Sequence, residues 1–322
     1  MPVDIGDGWL TACGHVLLDF GSAASADILR NLSGATTCGN FMWTVSDEGR
    51  TLECLELNAG SYRLAEQHFV DDFVRSIPGV ESGDELDLEA IACDGDNLWI
   101  CGSHCRVRKK PEPGIPVNWE LKNRKSRRLL ACFKLGESGG HISKADWLPF
   151  DGPGSLRETL ERDLFIQPFS ALPSKENGID IEGLAVRGDL VFVGLRGPRI
   201  DNQAMVLKLN MTDEFRIGSV ERFFVDLDGL AVRDLNWLGK RLLILAGPVG
   251  DASGPFRLCL WDPQNGSVTT LHSWDRVHEK PEGLCWLQSD LQTDLMVIYD
   301  SPDGFRISTT TYRADRFALN QG

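Results

Sequence analysis

The stretch Ile181-Glu182-Gly183-Leu184, followed after the Gly188-Asp189 turn by Leu190-Val-Phe-Val-Gly194, decides the fold because it is not alone. An acid or small polar residue, a small residue and an apolar run recur at Leu32-Ser33-Gly34-Ala35, Leu88-Glu89-Ala90-Ile91, Leu227-Asp228-Gly229-Leu230 and Pro281-Glu282-Gly283-Leu284. Such self-similarity marks a repeat architecture. Each copy leads through a turn rich in Asp, Asn or Gly into a second apolar run, at residues 41–45, 98–101, 190–194, 241–246 and 295–299. Short apolar runs bounded by turn residues read as strands. Two more strand-like runs follow, for example residues 205–209 with 220–225, or 257–261 with 268–272 across the Asp262-Pro-Gln-Asn-Gly266 turn. Four antiparallel strands per repeat is the unit of a β-propeller. Residues 190–193 and 242–245 are continuously apolar, as expected of strands covered on both faces.

The small residues of successive copies are 56, 93, 46 and 54 residues apart. No further copy lies between residues 95 and 178, so the long interval is assigned to two insertions. One, residues 106–127, is basic and Pro-rich; the other, residues 151–178, contains a short amphipathic helix with Leu156, Leu160 and Leu164 on one face. The last repeat supplies three strands, ending at residues 305–313, while residues 15–20 form a surplus strand before the first copy. Pairing the two closes a ring and leaves no open edge. The expectation is one all-β domain over residues 1–322, a five-bladed β-propeller closed by its N-terminal strand, with six blades as the alternative. A stack of unrelated hairpins or a two-domain β protein is the competing architecture.

Composition sets the partners. The 322 residues are 42% hydrophobic and 25% charged, which fits a globular chain and excludes a disordered, collagenous or membrane-spanning one. With 33 Lys and Arg against 47 Asp and Glu the net charge is −14, which repels nucleic acid and anionic lipid. The opening Met1-Pro-Val-Asp-Ile-Gly-Asp7 has no basic segment leading into an apolar one, so a cytoplasmic location is expected. Nine cysteines, an odd number scattered through apolar runs, are expected to be reduced, with no disulfide. Cys101-Gly-Ser-His104-Cys105 lacks the second ligand pair that a zinc finger or ribbon requires.

These motifs carry a resemblance. The chain resembles a family of bacterial propellers designated domain of unknown function 3616, from about Ser33 to Pro302. It does so through Ser46-Asp-Glu-Gly49, Gly102-Ser-His104, Asp180-Ile-Glu-Gly-Leu-Ala185 and Gly194-Leu-Arg-Gly-Pro198. Further south in the chain, Asp228-Gly-Leu-Ala-Val-Arg-Asp-Leu235, Ala246-Gly-Pro248, Glu282-Gly-Leu284 and Tyr299-Asp-Ser-Pro302 complete the set. The family implies a propeller and no assigned activity. More distantly, the Glu-Gly strand starts look like those of esterase-like phytase and gluconolactonase-type propellers, whose tunnel carboxylates hold a divalent metal. That analogy points toward metal-dependent hydrolysis, phytase-like or lactonase-like.

In a propeller, equivalent positions of the inner strands form a ring about the central tunnel. The expected ring is Ser33, Glu89, Glu182, Asp228 and Glu282, with a second from the ends of the following strands: Asp47 or Glu48, Ser103 or His104, Arg196, Gly247 and Asp300. Converging carboxylates must be relieved by a cation, by Arg partners or by protonation. An oxygen-only set of Glu89, Glu182, Asp228 and Glu282 suits Ca2+. The alternative is that the acids hydrogen-bond backbone amides of neighbouring strands. His104 is the candidate general base or metal ligand, the competing reading being a solvated loop histidine, and Arg196 is the catalytic anion clamp. Arg196, Arg233, Asp47 and Asp300 are the candidate substrate contacts, although the two arginines equally serve to neutralise Glu182, Asp228 or Asp234.

The basic insertion leaves directly from the His104 loop. Between Arg106 and Arg128 nine Lys and Arg stand against Glu112 and Glu120, a local +7 in a chain whose remainder is −21. It is placed to cover the tunnel mouth or dock an acidic partner, or else it is a solvated loop held by the protein's own acids. Trp119 alone gives too little aromatic interleaving for a nucleic-acid platform. The expected function is a tunnel site that binds Ca2+ and a small anionic ligand and hydrolyses an ester, phosphoester or lactone. The alternative is a non-catalytic scaffold presenting its rim and the basic loop to a protein partner.

Overall fold

Apolar runs too short for helices and punctuated by Gly, Asn and Asp become strands along the whole chain. The computed structural model describes residues 10–274, 279–288 and 293–319; residues 1–7, read above for a leader, lie outside them. After β1 (Leu10–Asp19) come β2 (Leu32–Cys38), β3 (Phe41–Ser46), β4 (Thr51–Asn58) and β5 (Ser61–Phe69). The next group is β6 (Leu88–Asp94), β7 (Asn97–Gly102), the short β8 (Val107–Arg108) and β9 (Leu121–Lys122), β10 (Leu130–Leu135) and β11 (Ile142–Trp147). Then follow β12 (Asp180–Arg187), β13 (Leu190–Ile200), β14 (Gln203–Met211) and β15 (Ile217–Val225), and β16 (Ala231–Leu238), β17 (Arg241–Gly247), β18 (Phe256–Trp261) and β19 (Val268–Trp274). The last are β20 (Lys280–Gln288), β21 (Thr293–Asp300) and β22 (Thr311–Leu319).

Three antiparallel four-stranded sheets run β6-β7-β10-β11, β12-β13-β14-β15 and β16-β17-β18-β19. The remaining long strands form one sheet in the order β2-β3-β4-β5-β1-β22-β21-β20. Its two halves meet where β1 lies parallel to β5 at Leu18–Tyr62 and Asp19–Arg63, while β1 pairs antiparallel with β22 along its length. The surplus N-terminal strand therefore completes the last group of strands. The first strands of the groups touch in a closed circuit, β2 to β6 to β12 to β16 to β20 and back to β2. Apolar clusters fill the spaces between successive sheets, with Trp43, Phe133 and Trp261 fully enclosed.

Close approach explains the small residue of the motif. A Cβ on Gly183 would stand 2.7 Å from Leu235 Cγ and 2.9 Å from Val232 Cγ1, both on the neighbouring β16. The sheets can approach this closely only because that Cβ is missing.

Several local expectations need correction. The final strand is Thr311–Leu319 rather than residues 305–313, because Asp303 to Arg306 first form a turn that places Arg306 against Asp315. The helix spans Leu156–Arg162, capped by Ser155 accepting from the Glu158 amide. Leu156 and Leu160 are buried, but Leu164 lies past the helix end and is 85% exposed. Cys38 and Cys93 form a disulfide, against the expectation of full reduction: adjacent strands β2 and β6 bring their Cα atoms to 6.1 Å, a normal bridging distance. Among the described residues no helix is long and apolar enough to cross a membrane.

Candidate functional site

Five strands carry the same irregularity near their starts. The antiparallel register slips by one residue at Ser33 in β2, Glu89 in β6, Glu182 in β12, Arg233 in β16 and Glu282 in β20. A bulge leaves one residue unpaired and re-aims its side chain. Here it gathers Glu89, Glu182 and Glu282 so that one ligand atom from each lies within 4.8 Å of the others. The fourth ring position is Arg233, not Asp228. Asp228 sits in a turn before β16, at φ 54°, with its side chain 71% exposed and paired to Arg257. Leu227-Asp228-Gly229-Leu230 imitates the motif letter by letter, whereas the true register carries Arg233-Asp234 in place of Glu-Gly.

Arg233 takes part of the place a cation would take. Its Nε lies 2.8 Å from Glu182 Oε2 and its Nη2 donates to Glu282 Oε1. Arg196, from β13, donates through Nη1 to Glu182 Oε1 at 2.5 Å and stands 3.8 Å from Asp180. Next in sequence, Asp234 accepts from the amides of Leu235 and Leu284, both at 2.7 Å, fastening β16 to β20. Ser33 Oγ likewise donates to Leu88 O at 2.5 Å, fastening β2 to β6. Glu182 and Glu282 thus meet arginines, while the backbone amides expected for the ring acids go to Asp234, which the sequence had suggested only as a charge for the arginines.

Ser33, Glu89, Arg233 and Glu282 of the ring line a cavity of about 620 Å³. Its walls include Asp47, Asp87, Glu89, Asp180, Glu282 and Asp300, with Arg127, Arg196 and Arg233 between them. Burial, then the charges of Asp87, Glu182 and Asp47, hold the Glu89 carboxyl well above the usual carboxylate range. Burial and then Asp87 push Asp47 up to about 8. Burial lifts Glu282 to about 7 against the pull of Arg233, and burial also raises Asp180, in spite of Arg196. Arg127 stands 3.1 Å from Asp87 and gives that flank a cation. Asp87, Asp180, Arg127 and Cys105 were missed by sequence reasoning; only Asp180, one residue before the motif, carried a signal.

His104 does not reach the cavity. It follows Ser103 with φ 57°, lies buried, and donates its amide to Arg127 O while Arg157 Nη1 donates to its carbonyl at 2.6 Å. Burial, then Arg157 and Arg128, push its pKa down to about 3, so as placed it is a poor base at neutral pH. Asp47, Asp300, Arg196 and Arg233 do line the cavity. So do Val107, Arg108, Lys109, Lys110 and Pro111 from the basic insertion. Within that insertion Val107–Arg108 pairs with Leu121–Lys122, which leaves the prolines at the tip. Its charges are largely met within the chain: Arg108 by Glu176, Lys109 by Glu120, Arg124 by Asp84 and Glu85, and Lys125 by Asp151.

A family model described as a protein of unknown function (DUF3616) matches residues 31–314, the family that the motifs resemble. No curated protein matches the chain. In structure the chain is similar to glutaminyl cyclase of Myxococcus xanthus, with a TM-score of 0.50 and 10% identity over 98% of this chain and 100% of that one. It is also similar to a luciferin-regenerating enzyme, with a TM-score of 0.45 and 10% identity over 95% of each chain. A third is the PQQ-bound aldose sugar dehydrogenase of Streptomyces coelicolor, with a TM-score of 0.41 and 10% identity over 96% of this chain and 100% of that one. At 10% identity the likeness to the glutaminyl cyclase is one of fold alone.

Proposed function

This chain belongs to the DUF3616 family of proteins of unknown function, and from that premise we propose a five-bladed propeller whose tunnel mouth binds a small anionic ester, phosphoester or lactone and hydrolyses it. The observation that carries the reading is the contrast between two ring acids: Glu89 lines the cavity with its pKa raised by burial and by Asp87, while Glu182 is gripped by Arg196 and Arg233. A carboxyl that its surroundings keep protonated can serve as a general acid. Water attacks the electrophilic centre as a protonated Glu89 donates to the departing oxygen, the water's proton then restoring Glu89, and Lys110 at the cavity wall draws the anion in. Arg196 serves as the clamp on the ligand's charge. Screening the wild type against ester, lactone and phosphoester panels, then comparing Glu89→Gln on any substrate turned over, tests the reading. A loss of about 100-fold or more supports it; an unaffected rate in the variant removes Glu89 from the chemistry.

A bound Ca2+ is a second reading, favoured by the 4.8 Å grouping of Glu89, Glu182 and Glu282. Oxygens bound at about 2.4 Å to one ion lie at most about 4.8 Å apart, so the grouping is compatible with a shared ion. Both oxygens of Glu182 and one of Glu282 already face guanidiniums, so an ion must share them. Calorimetric calcium titration of the wild type and Glu182→Gln decides: absence of heat in the wild type eliminates the ion. The scaffold alternative is the weaker, because the basic loop spends most of its charge on the chain's own acids.

A further inference from the structure

Far from the cavity, the side chains of Glu66, His68 and His141 converge on the flank between two sheets. Glu66 and His68 are two apart on β5 and so project from one face of the strand. His141 comes from the turn between β10 and β11. Glu66 Oε2 stands 3.1 Å from His68 Nε2 and 3.4 Å from His141 Nδ1. Those separations are edges of a coordination tetrahedron, since ligands bonded at about 2.05 Å to one zinc ion lie about 3.3 Å apart. We propose that Glu66, His68 and His141 form a binding site for Zn2+ or a similar borderline transition-metal ion, with its fourth position open to water.

The donors select the ion. Two imidazoles and one carboxylate suit Zn2+, Co2+ or Ni2+ and not Ca2+ or Mg2+, which take oxygen. The site is also held in advance of any ion. His68 is buried, stacked on Trp43 with ring centres 5.4 Å apart and set edge-on to Phe73 at 5.9 Å. The turn carrying His141 is pinned to the same sheet: Trp43 Nε1 donates to Gly139 O at 2.9 Å and Cys54 Sγ to Gly140 O at 3.5 Å. Within the turn, the Gly136 amide donates to His141 O at 2.8 Å. The His141 ring is 66% exposed and the Glu66 side chain 48%. An ion there joins the β2–β5 strands to the β10–β11 turn, and so staples two neighbouring sheets at their outer edge.

The test uses the full chain stripped of metal with a chelator. Zn2+ calorimetry should give one tight ion per chain and a rise in melting temperature, because an ion bound only by the folded state stabilises it by mass action. Co2+ should produce the visible absorption of a tetrahedral site. His141→Ala and Glu66→Gln, both at exposed side chains, should fold normally and weaken Zn2+ at least about tenfold, in the range that loss of a ligand's support costs. Glu182→Gln, in the cavity ring, should leave this binding unchanged. Equal Zn2+ affinity in His141→Ala and the wild type, or loss of the ion in Glu182→Gln alone, would overturn the proposal.

Discussion

Arg233 stands between two acids from two other strands, its Nε 2.8 Å from Glu182 Oε2 on β12 and its Nη2 donating to Glu282 Oε1 on β20. One guanidinium thus links three consecutive strands of the central circuit. All three side chains are buried. Removing one member of a buried ion-pair set costs about 3–5 kcal/mol, because the partners stay behind uncompensated. Arg233→Met should therefore lower the unfolding midpoint sharply at pH 7. The penalty should shrink toward pH 4, because the Glu282 carboxyl, raised by burial to about 7, is protonated there. Denaturant melts at the two pH values check this, and an equal penalty at both would mean that Arg233 acts through packing alone.

How much of this was legible in the sequence depends on what each residue's neighbours are. Ser33, Glu89, Glu182 and Glu282 were readable because bulge and close packing repeat with the strand, and the pattern Glu-small-apolar records both. Arg233 was hidden behind the decoy at Asp228. Spacing held the clue: from Glu182 to Arg233 and on to Glu282 the intervals are 51 and 49, more even than those drawn through Gly229. His104 was misplaced because it sits at a positive φ with its side chain buried outside the cavity that the next residue, Cys105, lines, and no side-chain pattern announces it. Glu66, His68 and His141 meet only after two sheets have packed side by side, so nothing local links them.

The raised carboxyls of the cavity set a pH dependence of definite sign. A group whose pKa is higher folded than unfolded contributes stability below its unfolded value, and that contribution is lost as pH rises through the folded value. Asp47 at about 8 and Glu282 at about 7 both titrate near pH 4 when unfolded, so stability should fall as pH climbs from about 4 to about 8. Asp47→Asn removes one of these charges. It should melt higher than the wild type at pH 8 and nearly the same at pH 4.5. A variant shift independent of pH would show that Asp47 is not raised.

Gly183 tests the packing half of the motif. Its missing Cβ leaves room for Leu235 and Val232 of the adjacent strand at 2.7 and 2.9 Å. Gly183→Ala should cost about 1–3 kcal/mol through overpacking. Because the φ there is not in the left-handed region, backbone strain does not add to it. Shortening the neighbour in Gly183→Ala/Leu235→Ala should return part of the loss relative to the two single changes. Strict additivity in that double-mutant cycle would contradict the contact.

The N-terminal strand is the last and broadest test, because it belongs to sheet rather than to a tail. β1 carries Val16 and Leu18 into the apolar cluster with Tyr62, Met296 and Tyr312, and Phe20 follows them, donating its amide to Thr310 O. All three apolar side chains are buried. At about 1.5–3 kcal/mol each, their burial stabilises the fold by about 5 kcal/mol or more, a large part of what a domain possesses. Deleting residues 1–20 also strips β22 and the end of β5 of their neighbour and leaves unpaired backbone along β22. The truncated chain should aggregate or elute as oligomers on size exclusion. Leu18→Ala, which keeps the strand but empties its buried position, should stay monomeric and lose about 2–5 kcal/mol. If the truncation is monodisperse and melts like the wild type, β1 does not hold the circuit together; if Leu18→Ala is neutral, the strand contributes only its backbone.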